Sequence, residues 1–311
     1  MNPSWPELSY PEGRETFATL HLWTQIVGKI RLARTPWLNH SWHVPLYVTA
    51  RGLTSSVIPH GERFFELEFD FNRHVLRIEV SDGTLREVRL QPRSVADFYA
   101  AVLQALSELR VDVPVDELPC EIPGATRFSQ DHTHASYDAQ CAQRLWQVLL
   151  RVDTVFKHFR TGFLGKCSPV HFFWGSFDLA VTRFSGRTAP PFPGKAPGVS
   201  AAVMREAYSH EVSSAGFWPG GGGVDYPCFY SYSYPVTERF RKSTIEPAAA
   251  AFDANLGEFL LPYEVVRSAP RPDDLLMSFL QSTYQAAAQA TGWDAALECA
   301  PGIPGTPRAL D

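Results

Sequence analysis

The strongest structural signal in the chain is the run at residues 65–90, FELEFDFNRHVLRIEVSDGTLREVRL. Phe65, Leu67 and Phe69 are separated by acidic residues, and this period of two predicts a half-buried β-strand. Further on, Asp82-Gly83 predicts a tight hairpin turn, because glycine accepts a positive φ. We therefore predict an antiparallel meander in this part of the chain.

Apolar side chains spaced three and four residues apart predict four helices, at residues 16–34, 94–109, 136–162 and 273–290. Ser94 and Ser136 are the expected N-caps, and Gly292 is the expected end of the last helix. Further strands are predicted at residues 170–184, 207–214, 228–234 and 258–266. The predicted class is α+β, with two antiparallel meander-plus-helix halves and long helices packed on the sheets. Whether the halves arose by duplication stays open.

These elements divide the chain into three predicted parts. Residues 1–128 hold the N-terminal helix, an antiparallel sheet and its covering helix. Residues 129–300 hold a long helix, an aromatic antiparallel sheet and the C-terminal helix, and this part is the candidate site region. Residues 301–311 are predicted to be a flexible tail. The alternative is one continuous module.

The composition of the chain excludes several classes of protein. Its net charge of −5 does not fit a nucleic-acid binder, which needs clustered cations to contact phosphates. No apolar run is long enough for a membrane span, and the first residues do not resemble a secretory signal. The five cysteines are not closely paired in sequence, which argues against a disulfide framework. We expect a cytoplasmic protein that binds a small molecule, and neither nucleic acid nor a membrane.

Unusual residues concentrate in the middle of the chain. Residues 131–235 carry 9 basic and 7 acidic side chains, and they contain 19 of the 40 aromatic residues and 5 of the 10 histidines. A positive, aromatic, histidine-bearing region within an acidic chain predicts a pocket for a polar or anionic small molecule. The alternative is an aromatic core in this half.

Histidines in this region predict a metal site. His132 and His134 would share one face of an extended segment, at a spacing by which two imidazoles can reach one metal ion. His171 and His210 are the further candidate ligands, and the ion would be zinc, iron or manganese. The alternative for His132 and His134 is that they cap the following helix.

The remaining candidate site residues surround these histidines in sequence. The predicted catalytic residues are His171, His210, Glu211 and Asp178, since imidazole beside carboxylate can transfer protons. A bulge at Gly175 would bring His171 and Asp178 onto one face of a strand. The predicted substrate-binding residues are Arg183, Lys166, Trp174, Tyr208, Trp218 and Tyr230. The glycines at 220–223 are expected to form a mobile flap over the pocket or a plain flexible connection.

Several long runs resemble a bacterial family of unknown function. They are SPVHFFWGSFDLAVTRFSGR at 168–187, AYSHE at 207–211, GFWPG at 216–220, LPYE at 261–264, WHV at 42–44 and ARGL at 50–53. The resemblance covers nearly the whole chain and implies a single full-length module. It implies no activity, and no residue role is transferred from it.

Three functions are consistent with these patterns. The leading hypothesis is a small-molecule enzyme, a hydrolase or an oxidoreductase, that uses one divalent metal ion. The second is a non-catalytic small-molecule-binding protein. The third is a metal-free enzyme with His171 or His210 as general base, or with Cys167 as nucleophile.

Overall fold

The computed structural model of the protein describes residues 5–299. Within that range, seven α-helices and two six-stranded antiparallel sheets confirm the α+β class. The helices are α1 (Tyr10–Arg34), α2 (Val95–Glu108), α3 (Ala139–Thr161), α4 (Ala201–Ala207), α5 (Glu238–Arg241), α6 (Tyr263–Arg267) and α7 (Pro272–Thr291). The strands are β1 (Tyr47–Val48), β2 (Gly52–Thr54), β3 (Ile58–His60), β4 (Arg63–Asp70), β5 (Val75–Val80), β6 (Leu85–Arg89), β7 (His171–Phe173), β8 (Asp178–Thr188), β9 (His210–Trp218), β10 (Cys228–Tyr234), β11 (Ala251–Asp253) and β12 (Glu258–Pro262).

The first sheet contains the predicted meander as β4, β5 and β6, which extend to one edge of the sheet. Its strand order is β1-β2-β4-β5-β6, and β3 also pairs with β4. The alternating apolar side chains of β4 are buried, with Phe65, Leu67 and Phe69 at most 2% exposed, whereas Phe64 lies on the exposed face. Gly83 takes the positive φ that the hairpin turn between β5 and β6 requires. The alternation of residue types therefore specified this sheet correctly.

The long helices lie close to their predicted positions. The Ser94 hydroxyl accepts a hydrogen bond from the Asp97 amide at the start of α2, as predicted. The left-handed Gly292 ends α7, also as predicted. The N-cap of α3 is Asp138 rather than Ser136, because the Asp138 carboxylate accepts the Cys141 amide.

The second sheet has the order β11-β12-β10-β9-β8-β7. Strand β10 spans the predicted residues, but one other predicted strand begins too early and another ends too late. Residues 201–207 form α4, so β9 begins only at His210. Residues 258–266 divide into β12 and α6, and the chain changes from strand to helix at Tyr263.

The two sheets share one hydrophobic core. Leu46 and Phe172 exchange two backbone hydrogen bonds of 2.9 Å, which join the N-terminal sheet region to β7. One buried cluster contains side chains of both sheets and of α1, α2, α3 and α7. Among the described residues, no helix is both long and apolar enough to cross a membrane. The predicted tail at 301–311 lies outside the described residues.

Candidate functional site

The hairpin of β7 and β8 supplies side chains to a cavity between α1 and the second sheet. Asp178 and Thr182 line the cavity, whereas Arg183 points to the opposite, helix-covered face of β8. This alternation follows from the period of two in a strand. The predicted bulge at Gly175 is wrong, because residues 174–177 form the turn that connects the two strands.

Two adjoining chambers lie between α1 and the second sheet. The acidic chamber, of about 660 Å³, includes His21, Asp131 and Glu258 in its walls. The tryptophan chamber, of about 450 Å³, is bordered by Trp37, Trp42 and Trp174. Both chambers are lined by a shared floor of seven residues, Glu121, Gly175, Ser176, Asp178, Tyr208, Tyr230 and Tyr232. Their volumes are in the range of small-molecule sites.

Asp178 is the most enclosed acid of the shared floor. It is 5% exposed, and its two carboxylate oxygens accept hydrogen bonds from the hydroxyls of Ser176 and Tyr230. Burial raises the pKa of Asp178 to about 6, because the charged form loses its hydration, although the two hydrogen bonds act in the opposite direction. The result is a fixed carboxyl group that exchanges its proton near neutral pH.

Two further carboxyl groups adjoin Asp178. Burial, with a smaller effect from the Asp178 charge, raises the pKa of Glu258 to about 7. Glu121 is exposed to solvent through the cavity. Protein surrounds its other sides, and this burial raises the pKa of its carboxyl to about 7. The charge of Asp178 adds a smaller effect in the same direction. Within residues 5–299, the carboxylates of Glu121 and Glu258 accept no hydrogen bond from the protein.

Two glycines make room for this arrangement. A Cβ atom at Gly175 would lie 2.2 Å from Oε1 of Glu121, so the absence of a side chain allows that carboxylate to approach the turn. A Cβ atom at Gly216 would lie 2.3 Å from Cζ and the hydroxyl oxygen of Tyr230. Glycine on β9 therefore lets the Tyr230 ring lie across the neighbouring strand and reach Asp178.

Three tyrosines form the aromatic part of the floor. The rings of Tyr230 and Tyr232 stack at 6.2 Å, and the Tyr208 hydroxyl donates to the Tyr232 hydroxyl at 3.3 Å. The pKa values of all three phenols are raised, mainly by burial. These groups therefore stay neutral and can donate hydrogen bonds to a ligand.

Histidines of the acidic chamber have partners within the protein. His21 Nε2 lies 2.8 Å from the Gly175 carbonyl oxygen, and burial lowers the pKa of His21 to about 4, so the ring is neutral at pH 7. His134 Nδ1 lies 2.7 Å from Asp131 Oδ2. Asp131 also accepts the amides of Thr133 and His134, so this segment is a turn and not the predicted extended strand.

Comparison with known families identifies the chain over nearly its full length. Residues 5–299 match the family described as "Family of unknown function (DUF5996)". The chain belongs to this family. No curated protein and no solved structure matches it. The sequence runs predicted a family of unknown function, and this prediction is confirmed.

The four predicted metal ligands are not brought together in this DUF5996 protein. Among residues 5–299, no three His, Cys, Asp or Glu side chains are grouped so that they could hold a metal ion. His134 pairs with Asp131, whereas His210 lies beside His40, with ring centroids 5.9 Å apart. His132 is exposed, and His171 is buried against Trp42 and Tyr47. The four histidines therefore do not converge on one point.

The predicted anion-binding cations are also displaced from the chambers. The Arg183 guanidinium lies between the rings of Phe159 and Tyr284, at 3.5 and 4.3 Å, and donates to the Phe159 carbonyl. The Lys166 ammonium contacts His40 Nε2 at 2.7 Å behind the wall of the tryptophan chamber. The cations that do line the chambers, Arg14 and Lys29, both come from α1.

Of the predicted catalytic groups, only Asp178 lies on the shared floor. The Glu211 carboxylate is bound by Arg187 at 2.7 Å and by the Ser185 hydroxyl. His171 is 1% exposed, and burial lowers its pKa to about 3. His210 bonds to the Ser209 hydroxyl at 3.0 Å.

Five of the predicted residues do line the cavity. Tyr208, Tyr230 and Asp178 belong to the shared floor, Trp174 borders the tryptophan chamber, and Trp218 borders the acidic chamber. Gly220, Gly221 and Gly222 also border the acidic chamber, beside Trp218. All four glycines at 220–223 have positive φ, and Gly221 and Val224 exchange two backbone hydrogen bonds of 2.8 Å, so this segment is a defined turn.

The sequence did not reveal Glu121, Glu258 or His21 as site residues. Glu121 lies in a proline-rich connection, and Glu258 is at the start of a short strand. His21 is on α1, which belongs to the other predicted half of the chain.

Proposed function

We propose that this DUF5996 protein is a small-molecule enzyme that catalyses proton transfer at the shared floor, without a metal ion. The observation that carries the proposal is the convergence of Asp178, Glu121 and Glu258 on one cavity, each with its pKa raised towards neutral. Acid–base catalysis is most efficient when the pKa of the catalytic group is close to the working pH.

Asp178 has the properties of the principal acid–base group. Its hydrogen bonds to Ser176 and Tyr230 fix its orientation, so that a substrate at the floor would meet the carboxyl in one geometry. Glu121, which keeps solvent access, would exchange protons between Asp178 and water.

The cysteine thiols and the charge of the cavity also bear on the proposed function. The thiol of Cys167 is an unsuitable nucleophile, because burial raises its pKa and so disfavours the thiolate. The five cysteines of the chain are free thiols, in keeping with the cytoplasmic location expected from sequence. The excess of carboxyl groups in the cavity favours a polar neutral or cationic substrate over an anionic one.

A mixture of bacterial metabolites can test the proposal, so that no single substrate has to be chosen. The full chain and its Asp178→Asn variant would each be incubated at pH 6.5 with a bacterial small-molecule extract, and the extracts compared by mass spectrometry. The matched control is Asp153→Asn, which changes a buried carboxyl group on α3 outside the cavity. Circular dichroism would verify that each variant is folded.

We expect the wild type and Asp153→Asn to convert the same compound, and Asp178→Asn to convert it about 10²–10⁴-fold more slowly. Equal conversion by Asp178→Asn would refute the assignment of Asp178. Retention of a compound by the wild type without conversion would instead establish the non-catalytic binding protein that the sequence left open.

A further inference from the structure

The charges of the acidic chamber are not balanced by the protein. Arg14 pairs with the neighbouring Glu15 at 3.2 Å, and its side chain is 65% exposed. Asp131 is satisfied by His134 and by two backbone amides. Asp178, Glu121 and Glu258 therefore face the cavity with no cationic side chain paired to them among the described residues. A ligand with a positive charge would supply the missing counter-charge.

Aromatic faces stand beside these carboxyl groups. Tyr208, Tyr230 and Tyr232 form part of the floor, and Trp218 borders the acidic chamber. The face of an aromatic ring attracts an organic cation, and carboxylates next to such rings are typical of sites for ammonium groups. The same surroundings would reject a carboxylate or phosphate, since like charges at close range repel.

The tryptophan chamber offers a different environment on the other side of the floor. Its walls include Trp42, Phe173, Trp174 and Val203. The charged pair that lines it, Lys29 and Asp116, is internally neutralised at 2.8 Å. This chamber would therefore hold an uncharged apolar group, which gains free energy when its surface leaves water.

We infer that the ligand of this cavity is an amphipathic amine, with its ammonium group at the shared floor and an aromatic or aliphatic tail in the tryptophan chamber. The inference rests on the proposed function only in using the same site, since it concerns binding and not turnover. It names the chemical class of substrate that the two chambers together would select.

Binding of such an amine is coupled to protons. An ammonium group favours the ionised form of Asp178, Glu121 or Glu258, so binding below their pKa values of about 6, 7 and 7 releases protons. The other titratable groups of the acidic chamber are Tyr10, Arg14, His21, Asp131, His134, Tyr208, Tyr230 and Tyr232, and those of the tryptophan chamber are Lys29, His40, Asp116 and Cys120. The phenols of Tyr208, Tyr230 and Tyr232 stay neutral and the His21 ring is uncharged between pH 5 and pH 8. Affinity should therefore rise with pH, about tenfold per unit for each proton released.

A matched series of ligands tests the inference on the full chain by isothermal titration calorimetry. The probes are 2-phenylethylamine, 2-phenylethanol and phenylacetate, which share a tail and differ in the head group, and ethylamine, which lacks the tail. Each would be measured at pH 5 and pH 8. Titrations in two buffers of different ionisation enthalpy would count the protons released.

We expect 2-phenylethylamine to bind most tightly, at least about tenfold tighter at pH 8 than at pH 5. Asp178→Asn should reduce its affinity about tenfold or more, whereas Asp153→Asn should not. Val203→Trp, which fills the tryptophan chamber, should lower its affinity to that of ethylamine. Ala202→Trp, at an exposed position on the same helix, is the control.

Three results would overturn the inference: no binding of the amine, equal binding of phenylacetate, or an affinity that does not change with pH. These outcomes are separate from the test of catalysis. Conversion of a non-amine compound that depends on Asp178 would leave the proposed function standing and refute the ligand class. Binding of the amine without any conversion in the extract would support the ligand class and refute the proposed catalytic function.

Discussion

Replacement of Asp178 by asparagine should make the stability of the protein less dependent on pH. The pKa of this carboxyl is about 6 in the folded chain and 3.8 in its ordinary state. Between these values the folded state binds more protons than the unfolded state, so the free energy of unfolding falls as pH rises. The contribution of Asp178 is fully present below pH 3.8 and is lost as pH passes through about 6.

The size of the effect follows from the difference of about 2 between the folded and ordinary pKa values of Asp178. At about 1.4 kcal/mol per unit, ionisation of Asp178 lowers the unfolding free energy by roughly 3 kcal/mol, and most of this loss falls between pH 4 and pH 8. Asparagine has nearly the same shape and does not ionise. The unfolding free energy of Asp178→Asn minus that of the wild type should therefore increase by about 2–3 kcal/mol from pH 4 to pH 8.

Urea denaturation at pH 4, 6 and 8 measures this difference directly. The variant also loses one hydrogen bond, which lowers its unfolding free energy by about 1 kcal/mol. This cost is the same at every pH, so it does not alter the dependence of the difference on pH. Tyr230→Phe is the complementary variant, because it removes a hydrogen bond that stabilises the ionised carboxylate. It should steepen the fall in stability with pH. A stability difference between Asp178→Asn and the wild type that is constant with pH would refute the assignment of a raised pKa to Asp178.

Three other substitutions test single features of the structure by thermal and urea denaturation. Gly216→Ala should lower the unfolding free energy by about 1–3 kcal/mol, because the new methyl group collides with the Tyr230 ring. This loss of stability should be smaller in a Tyr230→Ala background, and an equal loss there would contradict the contact. His171→Phe should raise stability by about 1 kcal/mol, since both ring nitrogens are buried and have no hydrogen-bond partner among residues 5–299. A loss of stability would mean that the imidazole has a partner. Gly221→Ala should cost about 1–3 kcal/mol because its φ of 123° is unfavourable for a side chain, and an unchanged melting temperature would instead support the freely flexible loop expected from sequence.

The local parts of the fold were predictable because neighbouring residues determine them. The alternation around Phe65 and Leu67 fixes which face of β4 is buried, and the Ser94 cap fixes the start of α2. Helix α4, at residues 201–207, was not predicted, because a seven-residue helix shows little periodicity. Its Ser200 cap, which accepts the Val203 amide at 3.2 Å, was the available signal.

The candidate site was predictable only in part, because it depends on residues far apart in sequence. Asp178 and Tyr230 were identified within aromatic strands, but Glu121 and Glu258 reach the same floor from other segments without a shared motif. The positive charge of residues 131–235 was also misleading. Side chains alternate along β8, so Arg183 enters the helix-covered core while its neighbour Thr182 faces the cavity.

Helix α1 supplies Tyr10, Arg14 and His21 to one chamber and Lys29 to the other, although the strands opposite it come from the second half of the chain. A gene cut between codons 128 and 129 would therefore give two fragments that each lack part of the walls of both chambers. Binding of the proposed amine ligand on mixing such fragments would report their reassociation, so the chain could be developed as a split reporter.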